Sequence, residues 1–470
     1  MYVVAGGGLA GLVAAARIVE AGHSVRVFEP SNAIGGCART HRTAGEPVER
    51  VPGYVHSLDS TAVGSVESDD QNTGAAGSEP TSGVVCEVAE TVGVADRLVQ
   101  SRGRTARYLD GVVHPVDAPW ERLAYPGLGL RNTLRLRRLR RLHEGDVGET
   151  VESTVTDRTG RDLYTGWFEP RLRATFGNRA SDVPATWLAD HAEREADRDR
   201  RGLAVSRFDG SMAVFVEALV ETIGDDAIRR NARIVNVDAA DRDRSANAAV
   251  TVSDGSGTRR VACDGVVVAT NPADLERLVE IDTEVETRRR SHALVTVSES
   301  VTDVWRLTVD DTSDIPFGVV YEHTNLVSPE RYGGEHLLYL VGRPDTEPAS
   351  ETLVRDRWLD ALADRFPAFT RETVRSVRVT ADQNGVVLPT AEGAGASASA
   401  VSEPPSWPLP VDLEVRNGPR VAYAGPGSEH DEFGTHPASR IAAGVAAASV
   451  LTRSASPEPA EWSWGPTAMN

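Results

Sequence analysis

Glycines near the start of the chain have a spacing that brings backbone close to phosphate. Gly6, Gly8 and Gly11 form a G-x-G-x-x-G pattern directly after an apolar, strand-like run. The first glycine permits a tight turn out of a strand, the second lets backbone approach a pyrophosphate, and the third lets a helix pack closely on that strand. Leu9 and Ala10 would begin this helix, whose unpaired N–H groups and positive dipole end attract phosphate. The pattern predicts a nucleotide-binding turn.

A carboxylate follows at the distance expected for a ribose. Glu29 ends the second apolar run, SVRVFE, about 20 residues after the glycines, where it can accept hydrogen bonds from a ribose hydroxyl. A glycine-rich turn on its own is a weak signal, and an empty structural turn is the alternative. Strand, glycines, helix and spaced acid occur together here, which favours a dinucleotide site.

A second glycine pair stands close behind this acid. Gly35 and Gly36 would let backbone meet the pyrophosphate from its other side, and Arg39 would supply positive charge to it. Nicotinamide enzymes do not usually need such a pair just after the ribose acid. The pair therefore argues against a nicotinamide site.

The string EPSNAIGGCART resembles a motif of the FAD-dependent superfamily of flavin amine oxidases, protoporphyrinogen oxidases and phytoene desaturases. In that superfamily an acid and a short gap precede GGRxxT or GGRART. Cys37 replaces the usual first arginine, whereas Arg39 and Thr40 keep their places. The resemblance implies non-covalently bound FAD and a redox reaction. The FAD-binding residues that it implies in this segment are Gly6, Gly8, Leu9, Ala10, Gly11, Glu29, Pro30, Gly35, Gly36, Arg39 and Thr40.

The resemblance extends to later segments. The run ARIVNV would contact adenine through backbone at Ile234, and VVVAT would pass the cofactor at Ala269 and Thr270. A last strand, a glycine turn and an alanine-rich helix would bring Gly425 and Gly444 to FAD. Apolar strands are usually only core, so these assignments rest on the resemblance alone.

The last turn departs from the family pattern. Family members typically have AGD there, whereas this chain has Ala424, Gly425 and Pro426. Asp431 or Glu429 would be the replacement for the displaced acid. The departure makes a flavoprotein that has lost catalysis one of the alternatives.

The order of segments predicts an α/β fold with a discontinuous Rossmann-like FAD-binding domain and an α+β substrate domain. Two domains are expected because 470 residues exceed what one hydrophobic core usually holds. Asp110 and Gly111 predict a hairpin turn. The predicted boundaries are 1–58, 207–279 and 411–453 for the FAD-binding domain, 84–206 and 280–410 for the helical and sheet parts of the substrate domain, 59–83 for a flexible insertion, and 454–470 for a tail.

Composition excludes several classes of protein. No run approaches the ~18 apolar residues of a membrane span, and the start lacks a signal-peptide pattern, so a soluble, cytoplasmic protein is expected. Cys37, Cys86 and Cys263 are too far apart for a disulfide framework or a metal-ligand cluster. Isolated reduced thiols are expected, and no metal site is predicted.

Acidic residues dominate the charge. The chain has 69 aspartates and glutamates against 50 basic residues, all of them arginine, and its net charge is −19. A lysine-free, acid-rich surface suits a cytoplasm of molar salt, where the Debye length falls to about 3 Å and self-repulsion is screened. A halophilic source is therefore expected. The same charge argues against nucleic acid as a partner, since phosphate binding needs clustered positive charge.

One segment runs against this trend. Arginines alternate with leucines across residues 131–145, RNTLRLRRLRRLHEG. A helix with a solvated arginine face is the favoured interpretation, because the leucines do not follow a clean 3.6-residue period. Weak peripheral contact with an anionic membrane is the alternative.

No catalytic constellation stands out, and the mechanism is expected to follow from the cofactor. FAD accepts a hydride at N5, and the protein supplies orientation, a dry cavity and electrostatics. Many amine oxidases hold a water near N5 with a lysine, which this chain lacks. An amine is therefore disfavoured as substrate, and a largely apolar molecule, porphyrinogen-like or isoprenoid- or carotenoid-like, is expected.

Four side chains are candidates for the substrate site. Tyr54 and His56 follow GGCART, in the stretch expected to approach the flavin, and His323 and His336 stand in the strings EHTN and YGGEHLLYL. Loop packing for the first two and a structural role for the two histidines are the alternatives. The sequence predicts neither the electron acceptor nor the oligomeric state.

A second type of enzyme remains open. A sugar-nucleotide isomerase resembling UDP-galactopyranose mutase uses reduced FAD without net oxidation. Such an enzyme would need paired arginines in its cavity for the substrate diphosphate.

Overall fold

The computed structural model describes residues 1–56, 81–139, 149–195, 197–239, 248–283, 285–310, 315–344, 349–388, 408–413, 415, 419–431 and 436–453. Its strands, numbered in chain order, are β1 (Tyr2–Ala5), β2 (Val25–Glu29), β3 (Thr40–Thr43), β4 (Glu46–Glu49), β5 (Val55–His56), β6 (Leu98–Gly103), β7 (Thr105–Leu109), β8 (Val112–Pro115), β9 (Arg198–Asp199), β10 (Gly202–Phe208), β11 (Ile228–Arg230), β12 (Ala232–Ala239), β13 (Ala248–Asp254), β14 (Gly257–Cys263), β15 (Val266–Val268), β16 (Glu286–Val297), β17 (Arg306–Val309), β18 (Phe317–Glu322), β19 (His336–Gly342), β20 (Val374–Leu388), β21 (Asp412–Leu413) and β22 (Val421–Tyr423). Its α-helices are α1 (Leu9–Glu20), α2 (Thr81–Thr91), α3 (Pro119–Ala124), α4 (Gly129–Leu139), α5 (Val151–Thr159), α6 (Arg161–Leu163), α7 (Glu169–Phe176), α8 (Thr186–Arg194), α9 (Met212–Ile223), α10 (Pro272–Val279), α11 (Glu351–Leu353), α12 (Leu359–Arg365) and α13 (Pro437–Arg453). Most of the predicted insertion and all of the predicted tail lie outside the described residues.

A six-stranded sheet is built from strands that are far apart in sequence. Its order is β11–β2–β1–β15–β22–β21, parallel except for the β21–β22 pair. Val4 lies opposite Val27 on one side and Val267 on the other. The strands are short apolar runs because both faces of a parallel sheet are buried.

Helices cover one face of this sheet. Helices α1, α2, α9 and α13 pack over it in one core, together with inward side chains such as Val4 and Val27. The opposite face, with Val3 and Phe28, packs on the antiparallel sheet β12–β13–β14 and on α10. Successive strand residues thus enter different cores, as the alternation of a strand requires. The Rossmann-like domain is confirmed as discontinuous, since its strands come from three separate stretches of the chain.

A seven-stranded sheet forms the centre of the second part of the molecule. Its order is β20–β16–β19–β18–β17–β7–β8, antiparallel except for the β17–β7 pair. Helix α12 packs on this sheet in one core, and α4, α5 and α7 form another core with the end of β20. This mixture of a sheet and helices is the predicted α+β substrate domain. The predicted hairpin is confirmed by the β7–β8 pairing, with positive φ at Asp110 and Gly111.

Within the described ranges, no helix combines the length and the apolar character needed to cross a membrane. The same residues contain no group of three histidine, cysteine or acidic side chains placed to hold a metal ion. All three cysteines are free thiols.

Candidate active site

The glycine-rich turn after β1 is tight on two sides and open on the third. Gly6 has a φ of 105°, which L side chains rarely adopt, and a Cβ there would lie 2.5 Å from the carbonyl oxygen of Ala269. A Cβ on Gly11 would lie 2.1 Å from the carbonyl oxygen of Gly6, so α1 packs directly on the turn. A Cβ on Gly8 would meet no atom within 4 Å. Backbone can therefore approach a ligand at Gly8.

The second glycine pair lies against the first. Gly35 forms an isolated parallel bridge with Gly8, and its N–H donates to the carbonyl oxygen of Gly7 at 2.7 Å. A Cβ on Gly36 would lie 3.1 Å from the Cα of Gly8. Two glycine segments from separate parts of the sequence thus form a single backbone cradle.

Glu29 ties this cradle to the end of β2. Its Oε2 accepts the N–H of Gly7 at 2.8 Å, and its Oε1 accepts the N–H and the hydroxyl of Ser31 at 2.9 and 2.7 Å. The side chain is half-buried, whereas the neighbouring Pro30 is exposed. A carboxylate offers only acceptors, so Glu29 is suited to receive ribose hydroxyl groups.

The cradle fits the diphosphate of a dinucleotide. Helix α1 begins at Leu9, and Gly8 provides no side-chain cap, so the first N–H groups of the helix can bind phosphate. The hydroxyl of Thr270 is buried near Gly6 and has no hydrogen-bond partner among the described residues. The uncapped helix, the orphaned hydroxyl and the open glycine are the features that a bound diphosphate would satisfy.

Residues from later strands meet the cradle at the carboxyl ends of β15 and β22. Ala269 and Thr270 follow β15 and contact Gly6, as described above. A Cβ on Gly425 would lie 2.1 Å from the carbonyl oxygen of Thr270, so the turn after β22 packs directly on this segment. Ligands of parallel α/β sheets bind at this edge.

The remaining residues that the family resemblance singled out lie in or beside this domain. Arg39 packs its side chain against Gly35, and Thr40 begins β3. Ile234 is buried in β12 at an irregularity in the pairing with β13. Gly444 lies where α13 crosses α1, and a Cβ there would be 2.4 Å from the carbonyl oxygen of Ala10. This contact gives Gly444 a role in packing the two helices.

A cavity opens beside the cradle. It encloses about 1200 Å³, including the part open to solvent, and Leu9 and Cys37 line its cradle side. Its lining includes the aromatic side chains Tyr54, Trp187 and Tyr321, the arginines Arg171, Arg290, Arg306 and Arg440, and the acidic side chains Glu49 and Asp382. A molecule in this cavity would touch both aromatic rings and guanidinium groups.

Tyr54 and His323 are hydrogen-bonded although 269 residues separate them. The Tyr54 hydroxyl lies 2.8 Å from Nδ1 of His323, and Nε2 of His323 lies 2.9 Å from the hydroxyl of Tyr332. All three side chains are buried. Burial, aided by Arg207 and Arg331, lowers the pKa of His323 to about 3, and burial raises the pKa of Tyr54 well above its ordinary value. His323 is therefore neutral and joins two phenols with one donor and one acceptor nitrogen.

The other two histidine candidates are placed differently. His56 lies in β5 opposite Val205 of β10, and its side chain is outside the described part of the structure. His336 begins β19, where its Nδ1 lies 3.3 Å from the hydroxyl of Thr324 and 3.4 Å from the carboxylate of Glu322. It does not line the cavity described above. The alternative of a structural histidine fits His336.

Two of the cavity arginines share one carboxylate. Arg171 and Arg306 each lie 3.1 Å from Oε1 of Glu195, and Arg198 contacts the other oxygen. Burial alone would raise the pKa of Glu195, but these guanidinium groups hold it well below its usual range. The cluster is therefore ionised, with more positive than negative charge.

Arg290 has no carboxylate within ion-pair distance among the described residues. Its Nη2 donates to the carbonyl oxygens of Thr175 and Ala174, and its buried Nε has no hydrogen-bond partner. Burial lowers its pKa to about 10. The neighbouring His292 is also buried, with an unpartnered Nδ1 and a pKa that burial lowers to about 3. Asp382 lies opposite Arg290 in the β16–β20 pairing and also lines the cavity, but beyond ion-pair distance of the guanidinium, so the positive charge of Arg290 is only partly compensated.

The Cys37 thiol lies against the guanidinium of Arg440, near the start of α13. Arg440 also lies 3.4 Å from Asp382 and 3.8 Å from Asp431. Burial raises the pKa of the Cys37 thiol in spite of Arg440. A guanidinium from α13 thus lies beside the position where the resemblance expects an arginine. Asp431 is buried in this cluster, whereas Glu429, the other suggested replacement for the AGD acid, is exposed.

The cavity arginines were not among the residues predicted from the sequence. Arg290 ends the run RRR at residues 288–290 in β16, where Arg289 is exposed and Arg290 is buried. The signal available in the sequence was a charge that enters an apolar strand on its inward side. Arg440 had no comparable signal, because one arginine in an alanine-rich helix resembles an ordinary surface residue.

We expect the free energy of unfolding to fall as the pH decreases below about 6.5, the ordinary pKa of histidine. His292 and His323 have pKa values of about 3 in the folded protein. The unfolded chain therefore binds protons first, and each of these histidines lowers stability by about 2 kcal/mol near pH 5. Denaturant unfolding at several pH values measures this loss. In His323→Gln the loss of stability near pH 5 should be about 2 kcal/mol smaller than in the parent. The variant His430→Gln, at an exposed position, should match the parent. An unaltered pH dependence of stability in His323→Gln would contradict the lowered pKa of His323.

Comparisons with known proteins agree on one family. The family model of flavin-containing amine oxidoreductases matches residues 9–451. A protein of Mycobacterium tuberculosis that is named among the flavin-containing monoamine oxidases is 25% identical over 294 residues, which cover 58% of this chain. The match spans 57% of that relative's length.

Solved structures share the fold. A protein of Exiguobacterium sp. 255-15 named among the protoporphyrinogen oxidases superposes with a TM-score of 0.68 at 14% identity, over 96% of this chain and 98% of its own. Reduced UDP-galactopyranose mutase superposes with a TM-score of 0.65 at 13% identity, over 97% of this chain and 94% of its own. At these identities the likeness concerns the fold alone. Because the family model covers nearly the whole chain, the protein belongs to the flavin-containing amine oxidoreductase family.

Proposed function

We propose that this enzyme oxidises an organic molecule that combines an apolar body with a carboxylate, as a porphyrinogen does. FAD, when bound, supplies the hydride acceptor. The observation that carries the proposal is the buried guanidinium of Arg290, which has no carboxylate within ion-pair distance among the described residues and lies in a cavity that also contacts the cofactor cradle. A buried charge without a fixed partner is costly, and a substrate carboxylate would compensate it.

The aromatic walls account for the apolar body. Tyr54, Trp187 and Tyr321 line the same cavity as Arg290. Their rings can cover a flat, apolar molecule and exclude water from it. A plain isoprenoid or carotenoid hydrocarbon would use these walls but would leave Arg290 unpaired. A porphyrinogen carries propionate groups on an apolar macrocycle and would use both.

The charge of the cavity disfavours a cationic amine. Four arginines line the cavity against two acidic side chains, Glu49 and Asp382. Arg171 and Arg306 also share the carboxylate of Glu195. Like charges in a partly desolvated site repel strongly. The absence of lysine from the sequence points the same way.

The buried chain from Tyr54 to Tyr332 offers a route for the proton that oxidation releases. Removal of a hydride and a proton from the substrate leaves a new double bond. The substrate proton can move to the Tyr54 oxygen while the hydroxyl proton of Tyr54 passes to Nδ1 of His323. At the same time the proton on Nε2 of His323 passes to the Tyr332 oxygen, and the hydroxyl proton of Tyr332 leaves. Each partner is within hydrogen-bond distance, and each ends the transfer neutral. Neutral members suit a buried path because no charge remains inside.

A mutase-like isomerase is the second candidate. Paired arginines, which the sequence alone made a requirement for this reaction, do line the cavity as Arg171 and Arg306. The two already share Glu195, so their charge is partly compensated. A single arginine without an ion pair, Arg290, favours one carboxylate over a diphosphate. Turnover of a sugar nucleotide without consumption of an oxidant would establish the isomerase instead.

Anaerobic bleaching of the bound flavin tests the proposal. The panel contains a porphyrinogen, its methyl esters, a carotenoid precursor and a primary amine, and UDP-galactopyranose is tested separately for isomerisation by the enzyme with reduced flavin. We expect the free-acid porphyrinogen to bleach the flavin at the lowest concentration. Bleaching by the amine or the hydrocarbon alone would overturn the substrate class. A flavin that no compound reduces would favour a protein that has lost catalysis only if the reduced enzyme also fails to isomerise UDP-galactopyranose.

Replacement of Arg290 by glutamine should raise the KM for the free acid about 30-fold, because a charge-assisted hydrogen bond contributes about 2 kcal/mol. The KM for the methyl ester should be the same in the variant and in the parent. Steady-state kinetics with both substrates measure this difference. Arg289→Gln is the matched control, since the adjacent Arg289 is exposed and donates to Gln383. An unchanged KM for the acid in Arg290→Gln would contradict the role of Arg290.

A further inference from the structure

The most exposed large apolar side chains fall in one short stretch of the chain. Among the described residues they are Val112, Trp120, Leu123, Leu130 and Leu134, with 51, 64, 43, 65 and 53% of their surface exposed. They lie on β8, α3 and α4, and α3 packs against both of the others. We call this group the α3–α4 surface. Single exposed apolar residues are ordinary, but a group on adjoining elements indicates an interaction site.

Helix α4 has leucines on two faces. Leu136 and Leu139 are buried in a core with α5 and α7, whereas Leu130 and Leu134 are exposed. This arrangement explains why the leucines of this segment lack a clean helical period. The solvent side of this helix carries these leucines as well as the exposed Arg131, and residues 140–145 of the segment lie outside the described residues.

Helix α4 gives the α3–α4 surface a positive part, because it contains arginines and no acid, whereas Asp110 in the β7–β8 turn is exposed near Val112. Arg131 is exposed and has no ion-pair partner among the described residues. The acid of α3, Glu121, is turned inward, where it accepts the backbone N–H groups of Asp117 and Ala118 and the guanidinium of Arg104. In a chain with a net charge of −19, an arginine-bearing apolar surface is exceptional.

We propose that the α3–α4 surface docks on an anionic lipid bilayer. Leucine and tryptophan side chains enter the boundary between head groups and acyl chains, and arginines pair with lipid phosphates. A second copy of the chain fits less well, because a twofold contact would place this surface on itself and Arg131 near its own copy. The docking does not depend on which substrate the enzyme oxidises.

Salt separates the two contributions to this docking. At molar salt the Debye length is about 3 Å, so the arginine contribution is largely screened. The apolar contribution does not fall with salt. We therefore expect binding to weaken as KCl rises but to persist in molar KCl.

Co-sedimentation of the FAD-loaded protein with vesicles tests the proposal, at the lowest KCl concentration that keeps the protein folded. Vesicles of phosphatidylglycerol mixed with phosphatidylcholine should bind the protein about tenfold more tightly than pure phosphatidylcholine. The variant Trp120→Ser/Leu130→Ser/Leu134→Ser should bind at least about tenfold more weakly, because its apolar area is lost. Arg131→Gln should weaken binding to the anionic vesicles about fivefold and leave binding to phosphatidylcholine unchanged.

Controls separate docking from folding and from self-association. Trp120→Phe and Arg131→Lys should bind like the parent, and the triple variant should keep the parent's melting temperature because all three side chains are exposed. Equal binding of the parent and the triple variant, or no preference of the parent for anionic lipid, would overturn the proposal. A parent dimer that the triple variant converts to a monomer would assign the surface to a second copy instead.

Discussion

Replacement of Gly8 by alanine is expected to weaken FAD binding about 100-fold without destabilising the protein that lacks FAD. The fold accepts the change, because a Cβ at Gly8 meets no atom within 4 Å and the φ of −73° suits any residue. The same carbon would stand where backbone must approach the diphosphate. Loss of charge-assisted hydrogen bonds to phosphate accounts for about 3 kcal/mol, or two orders of magnitude in Kd.

Two other glycine variants complete this test. Gly11→Ala should destabilise the protein itself, since its Cβ would lie 2.1 Å from the carbonyl oxygen of Gly6. Gly255→Ala, in the turn between β13 and β14, should alter neither property, because a Cβ there also meets nothing within 4 Å. Titration of the FAD-free proteins with FAD and their thermal unfolding measure both quantities. Normal FAD affinity in Gly8→Ala would show that the diphosphate does not pass this glycine.

The cofactor cradle could be predicted because its parts are local in sequence. One strand, one turn, one helix and a second strand place Gly6, Gly8, Gly11 and Glu29 together within a single unit. Each glycine has a steric reason that any similar unit would share. The second pair, Gly35 and Gly36, follows within a few residues. Local geometry therefore fixes this part of the site almost completely.

The cavity could not be predicted in the same way, because its walls come from distant segments. Tyr54 meets His323 only when β5 and the end of β18 are brought together by the fold. Arg290 and Arg440 look like surface charges in the sequence, since arginine is usually exposed. The expectation of a largely apolar substrate consequently took no account of the guanidinium groups that face it.

The buried polar groups of the cavity oppose the stability of the fold. His292 and Arg290 line the cavity, and His323 lies behind it, bonded to Tyr54. Each of the three loses favourable hydration on burial. Proteins retain such groups where a bound ligand offsets the free energy lost when the groups are buried. Their concentration around one cavity is therefore an argument for chemistry at this place that does not rely on any relative.

Replacement of Tyr54 by phenylalanine is expected to slow substrate oxidation about 10³-fold while FAD stays bound. The change removes only the hydroxyl that lies 2.8 Å from Nδ1 of His323, so the aromatic wall of the cavity remains. Proton transfer by a positioned side chain contributes about 10²–10⁴-fold to a rate. The Tyr54 hydroxyl is not expected to contribute to binding of the apolar body of the substrate. KM should therefore change little, and the decrease should appear in kcat.

Matched tyrosine variants separate a proton path from packing. The hydroxyl of Tyr339 is also buried, but it donates to the backbone carbonyl of Glu49 at 2.8 Å and takes no part in the hydrogen bonds from Tyr54 to Tyr332. Tyr339→Phe should therefore leave kcat nearly unchanged. Tyr332→Phe removes the last hydroxyl of the Tyr54–His323–Tyr332 hydrogen bonds. It should lower kcat and reduce or abolish the solvent deuterium isotope effect of the parent. Rates of anaerobic flavin bleaching in H₂O and D₂O measure both effects. If Tyr54→Phe kept the parent's kcat, the buried chain would be structural, and the substrate proton would have to leave directly to water at the mouth of the cavity.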